Sequence, residues 1–299
     1  MEDFRSIDFF ALNKRYRGTM FLKLYSKIPT QIKRFIRITI YWTLDTLDYL
    51  TGRKEPMVPP RMTSLIIGGG DYKKIGKDFT GYLIRYADLK SEHRVLEIGA
   101  GYGRMAAGLT AYLNYPGTYD GIEIIKKAVD WCNKEIAFRY PNFNFHHADV
   151  HNSYSNPEGL QQATEYSIPF ADDTFDVVFL TSVFSHMPPA QIETYLGEIH
   201  RVLKEGGRCF ITYYLLDNFA LKQIQNRKAS RPFYQSFEGF LSTSRKTPED
   251  TIAIPEATIR KFYMRNNLTI VEPILYGNWA GREKYLTYQD VIIAHKVKR

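Results

Sequence analysis

The run Val95-Leu96-Glu97-Ile98-Gly99-Ala100-Gly101-Tyr102-Gly103-Arg104 constrains this chain more than any other, because an apolar stretch enters a glycine-rich turn that becomes a helix. Glycines without a Cβ let the backbone turn tightly and approach a ligand closely, and the helix N-terminus behind them offers free N–H groups. The run is therefore a cradle for a small molecule. Glycine spacing then selects the ligand. A dinucleotide fingerprint needs G-x-G-x-x-G, yet the sixth position is Arg104 counted from Gly99 and Ala106 counted from Gly101. The pattern here is E-x-G-x-G-x-G, with the Glu97 carboxylate just ahead of the first glycine. A carboxylate at that place would repel a pyrophosphate and suits the ammonium end of an amino acid.

Around this run the hydropathy alternates. Val95–Ile98, Thr118–Glu123, Phe143–His146, Phe175–Leu180 and Gly207–Tyr214 read as strands; Arg104–Leu113, Lys126–Arg139 and Ala190–Leu203 read as helices. Such alternation predicts a doubly wound parallel α/β sheet with its chemistry at the carboxyl ends of the strands. The order changes near the end, to a helix Pro255–Arg265 and strands Leu268–Leu275 and Asp290–Val297 joined by a loop too short for a crossover helix. Those last strands are expected to pair as an antiparallel hairpin.

The chain has 299 residues and a net charge of +8, which raises nucleic acid as a partner. The distribution of charge argues otherwise. Residues 1–61 hold 12 Lys+Arg against 6 Asp+Glu, and the rest of the chain 28 against 26. The basic excess belongs to an N-terminal arm, residues 1–60, cut off by Gly52, Pro56, Pro59 and Pro60 from a main domain over 61–299. Within the arm, Pro29–Leu50 carries Ile32, Phe35, Ile36, Thr39, Trp42, Thr43 and Leu47 near helical spacing, interleaved with Lys33, Arg34 and Arg37. Charged residues interrupt it too often for a bilayer span. The expectation is a helix packed on the main domain, with an anionic membrane surface as the alternative partner. Gly68-Gly69-Gly70-Asp71 marks a turn before a further amphipathic stretch, Phe79 to Tyr86. Cys132 and Cys209 lack metal-ligand spacing and read as buried thiols of a reducing, cytoplasmic compartment, peripheral to the inner membrane surface if the arm binds lipid. His146, His147 and His151 cluster without the spacing of a zinc site, so no metal is expected.

Several motifs follow in order: the glycine loop, Tyr119-Asp120-Gly121-Ile122-Glu123, His147-Ala148-Asp149-Val150, the run Ile168-Pro169-Phe170-Ala171-Asp172-Asp173-Thr174-Phe175-Asp176-Val177-Val178, and Glu198 to Arg208 with its Gly206-Gly207 turn. Together they resemble the class I S-adenosylmethionine-dependent methyltransferases, type 11 subgroup, over roughly Arg61 to the C-terminus. The resemblance implies a Rossmann-like sheet closing in an antiparallel hairpin, S-adenosylmethionine as cofactor, and cofactor contacts from Glu97, Gly99, Ala100, Gly101, Gly103, Glu123, Ile124, Asp149, Val150 and Thr181. Glu123 would accept from the ribose hydroxyls, Ile124 would cover one face of the adenine, and Asp149 would accept from the adenine amine.

Methyl transfer is an in-line displacement, so the protein chiefly has to hold acceptor and methyl in line, and a base is needed only where the acceptor must lose a proton. His186, just past the fourth strand, has the chemistry of that base, and its alternative role is to orient the loop. Asp217–Ile254 reads as a cap inserted for substrate, with Phe219, Phe233, Tyr234, Phe237 and Phe240 among basic residues. In the loop Tyr276–Arg282, Trp279 and Arg282 are candidates to stack on and hydrogen-bond to a sugar or anionic group, or else Trp279 plugs the core. The expected acceptor is an oxygen of a small molecule, a saccharide or a lipid-linked group. An RNA methyltransferase and a non-catalytic S-adenosylmethionine-binding scaffold are the alternative readings.

Overall fold

The expected apolar runs become the strands of the sheet. In the structure, a computed structural model that describes residues 30–63 and 70–297, they are β1 (Arg94–Ile98), β2 (Thr118–Glu123), β3 (Phe143–His147), β4 (Phe175–Leu180) and β5 (Leu203–Tyr213), all parallel. Val95, Leu96, Val178, Phe179 and Leu180 have no exposed surface, as strands covered on both faces require. The last two strands, β10 (Leu268–Ile270) and β11 (Asp290–Lys296), are antiparallel to each other, and β11 runs antiparallel to β5. The sheet order is β3-β2-β1-β4-β5-β11-β10.

The α-helices among the described residues are α1 (Thr30–Leu50), α2 (Tyr72–Tyr86), α3 (Arg104–Leu109), α4 (Lys126–Cys132), α5 (Pro189–Val202), α6 (Asn218–Gln225) and α7 (Glu256–Arg265). Asp71 caps α2 by accepting from the Lys74 N–H at 2.8 Å. Of the expected Gly68–Asp71 turn, Gly68 and Gly69 lie outside the described residues, as do residues 1–29 of the arm.

Three expectations need correction. The helix drawn to Leu113 ends at Leu109. The edge strand drawn to Leu275 stops at Ile270, because Pro273 has no N–H to give the ladder; pairing resumes only as a single bridge between Leu275 and Val291. The arm helix does not bury its apolar stripe on the main domain. Tyr41 is its one buried hydrophobic residue among those described, while Ile32, Phe35, Trp42, Leu47, Tyr49 and Leu50 are exposed. What holds α1 is polar: Arg61 donates to Asp45 at 3.2 Å and Asp48 at 2.6 Å, and the Arg61 and Met62 backbone N–H groups donate to Asp45.

The 217–254 segment is folded. It comprises α6 and the strands β7 (Gln235–Phe237), β8 (Phe240–Ser242) and β9 (Ile252–Pro255), which form a small sheet with β6 (Leu215–Leu216). Phe233 is fully buried there against Tyr214 and Trp279.

Candidate active site

Sheet order reverses between β1 and β4, and the crevice outside the carboxyl ends at such a reversal is where doubly wound folds bind ligands. Register puts the residues there. Ile98 is level with Ile122 of β2 and with Leu180 of β4, so Gly99, Glu123 and Thr181 leave the sheet side by side. Gly99 and Ala100 both donate to the Ile122 carbonyl, at 2.8 and 3.0 Å. Gly99 has φ +81°, and a Cβ there would run into the Val183 side chain from the loop after β4. Gly103 caps α3 at φ +70°, with Ile136 and Cys132 filling the space a side chain would take. Only glycine fits both places.

Glu97 is fully buried within β1. The Tyr119 hydroxyl donates to its Oε2 at 2.5 Å, and the ring of Tyr119 is itself buried, stacked on Phe143. Burial pushes the Glu97 carboxyl up to about 8, against the opposing pull of the Tyr119 hydrogen bond; the nearby Glu123 pushes it further up and Arg104 draws it down. Glu123 ends β2 with both carboxylate oxygens engaged: Oε2 accepts from the Gly101 N–H at 2.7 Å and Oε1 from the Ile125 N–H at 2.8 Å. Burial raises its pKa and these N–H donors hold it back. Glu123 thus shapes the glycine loop at the carboxyl end of β2.

Ile124 follows, partly buried, its carbonyl accepting from His147 Nε2 at 3.2 Å. Beyond β3, Ala148 donates to the Glu123 carbonyl at 3.0 Å, Asp149 presents an exposed side chain and Val150 is buried. Half-buried Thr181 ends β4, and Ser182 after it takes φ +59°, held by its N–H donating to Thr212 Oγ at 2.7 Å and its hydroxyl to Gln289 at 2.7 Å. A non-glycine residue held in the left-handed region at the mouth of a crevice is stored strain of the kind found at functional sites.

His186 closes a short helical turn, Phe184–His186. Its Nδ1 lies 2.9 Å from the Glu249 carbonyl, and its ring stacks on Tyr154 at 5.4 Å with 3° between planes. A carbonyl only accepts, so Nδ1 carries the proton and Nε2 the lone pair. Burial pushes the imidazole pKa below its usual 6.5, and the Glu249 hydrogen bond partly restores it. Glu249 also takes the Ser153 N–H at 2.7 Å and the Ser153 hydroxyl at 2.5 Å, tying the cap to the loop that holds Tyr154.

Trp279 is a correction: it has no exposed surface, and its Nε1 donates to Asp290 at 2.7 Å. It fills the core beneath the cap and offers no face to a sugar. Asp290 also accepts from Leu215 and Gly277, each at 2.7 Å, and burial pushes its carboxyl up to about 6. Arg282 stays nearer the surface, its guanidinium between the rings of Tyr276 at 4.2 Å and Phe219 at 4.5 Å and bonded to Asp217 at 2.5 Å.

Two site residues carried no signal in the sequence. Tyr72, at the start of α2, donates to the Tyr102 carbonyl at 2.7 Å and so braces the glycine loop from outside. Tyr119 was legible only as a strand residue. The histidines near β3 have ordinary partners: His146 Nε2 bonds to Asp120 at 2.9 Å, and among the described residues no group of three or more His, Cys, Asp or Glu stands close enough to hold a metal.

Residues 96–211 match the family model described as a methyltransferase domain, of the type 11 group. Over those residues the chain is similar to a methyltransferase domain. The chain is 29% identical over 150 residues to the uncharacterized methyltransferase YcgJ of Bacillus subtilis, covering 48% of each chain. It is 25% identical over 147 residues to the ubiquinone/menaquinone biosynthesis C-methyltransferase UbiE of Geotalea daltonii, covering 49% of this chain and 56% of that one. The chain therefore spans about half the length of these curated relatives. The crystal structure of the PH0226 protein from Pyrococcus horikoshii shares the fold, with a TM-score of 0.53 at 15% identity over 78% of this chain and 95% of that one. The cofactor of such a methyltransferase domain is S-adenosylmethionine, and the crevice suits it. Glycine backbone without side chains lies between two buried carboxylates, Glu97 and Glu123, which match an ammonium and a pair of hydroxyls.

Proposed function

We propose that this chain transfers a methyl group from S-adenosylmethionine to an oxygen of a small-molecule, saccharide or lipid-linked acceptor, with His186 as the base. Glu97, Glu123, Asp149 and the backbone of Gly99 to Gly103 would hold the cofactor, with Ile124, Val150 and Thr181 around it. The chemistry S-adenosylmethionine supplies when bound is an electrophilic methyl carbon on a sulfonium. The chain's part is to align the acceptor with that carbon and to remove the hydroxyl proton as the new O–C bond forms. The observation that carries the reading is the His186 tautomer. With Nδ1–H given to the Glu249 carbonyl and burial favouring the neutral ring, Nε2 is left as the proton acceptor.

The test is incubation with S-adenosylmethionine and fractionated hydroxylated metabolites, glycans and lipid-linked saccharides, read by mass spectrometry for the gain of one methylene. His186→Ala should then lower kcat by about 10²–10⁴-fold with cofactor affinity intact. A loss under about fivefold leaves positioning alone as the mechanism. Methylation found only on nitrogen or carbon overturns the oxygen assignment.

A further inference from the structure

The arm helix α1 is mounted with its apolar face outward. Phe35, Trp42 and Tyr49 recur every seven residues, so they lie along one line of the helix, and they are 70%, 64% and 77% exposed. Ile32, Leu47 and Leu50 flank that line and are likewise exposed. The opposite face carries Asp45 and Asp48, which hold Arg61, and the buried Tyr41. By helical position no charged residue falls on the outward face. Its threonines present nothing unsatisfied either. Thr39, Thr43 and Thr46 each donate to the carbonyl one turn back, in Phe35, Thr39 and Trp42, at 3.1, 2.9 and 2.8 Å. A surface helix normally turns such a face to the core. Here the domain takes the acids instead.

We infer that this face is an interfacial anchor that lies flat on an anionic lipid surface. Three observations select that occupant. Aromatic residues dominate the face, and Trp and Tyr, with an apolar body and a polar tip, settle at the headgroup level of a bilayer. The arm to residue 61 carries 12 Lys+Arg against 6 Asp+Glu, which complements anionic headgroups and disfavours a second copy bearing the same excess. No described helix is long and apolar enough to cross a membrane, so the contact is parallel to the surface. The inference concerns the arm and stands whatever the methyl acceptor proves to be.

The experiment is flotation of the full chain with vesicles of phosphatidylcholine alone and of phosphatidylcholine with one-third phosphatidylglycerol, beside sedimentation without lipid. Parent protein should float with the anionic vesicles, lose most of that binding in high salt, and bind the neutral vesicles at least tenfold more weakly. The double variant Phe35→Glu, Trp42→Glu should lose binding at least tenfold while keeping its thermal midpoint, since both side chains are exposed. Equal flotation of parent and Phe35→Glu, Trp42→Glu overturns the inference. So does a parent that sediments as a dimer which that variant dissolves and that ignores vesicles, because the face then belongs to a second copy. A monomer that binds no vesicles means the face is covered from within the chain, and the inference fails.

Discussion

Replacing Glu123 by glutamine keeps the size of the side chain and changes only what its two ends can accept. In the parent, one oxygen takes the Gly101 N–H and the other the Ile125 N–H, leaving each a lone pair for a ribose hydroxyl. An amide has one oxygen. Its NH₂ must face one of those N–H groups, donor against donor, and can accept nothing from the ligand. Leaving one buried N–H unsatisfied costs about 1–3 kcal/mol of fold stability. Losing one charge-assisted hydrogen bond to the cofactor costs about 1.5–3 kcal/mol of binding, or roughly 10–150-fold in Kd. Titration calorimetry with S-adenosylmethionine and its demethylated product reads the second quantity, and a thermal melt of the free protein reads the first. Both ligands should weaken alike, since both carry the ribose. A folded Glu123→Gln variant that binds either ligand within twofold of the parent would refute the assignment of Glu123 to the ribose.

Further outcomes follow from the buried groups. His186 must be neutral to act, and burial lowers its pKa, so activity should fall only as pH drops through a value below 6.5; a limb at or above 6.5 contradicts this. Glu97 holds its proton up to about 8, so its stabilising contribution is complete below its ordinary 4.5 and lost as pH rises through about 8. An ammonium set beside it favours the carboxylate, so binding S-adenosylmethionine at neutral pH should release protons, read by calorimetry in buffers of different ionisation heat, and Glu97→Gln should abolish the release. Trp279→Ala should cost about 3–5 kcal/mol of stability; a stable variant with only a raised KM for the acceptor would restore the stacking role.

The parallel strands were legible to within a few residues, because continuous apolar runs bounded by turns suit strands buried on both faces, and Phe175–Leu180 is such a run. Glu97, the glycines and Glu123 were legible as a set because chemistry and spacing repeat together. What the sequence hid are contacts across long separations. Tyr72 reaches Tyr102, and Glu249 reaches His186 across 63 residues. The outward face of α1 was hidden for a different reason. Periodicity shows that a helix has an apolar side; which way that side turns is decided by Arg61, whose two aspartates pull the polar side inward.

Glu249 is the residue on which the 217–254 segment meets the loops of His186 and Ser153, with its carbonyl on His186 and its carboxylate on Ser153. The cap is also the part of such a molecule most free to diverge, since inserted surface segments tolerate change. In this chain that freedom is curtailed. Exchanging this segment would carry away the carbonyl on His186 Nδ1, so if the segment selects the acceptor and His186 is the base, as proposed, the two properties change together. Descendants that kept the sheet and replaced residues 217–254 would have to find another partner for His186 Nδ1.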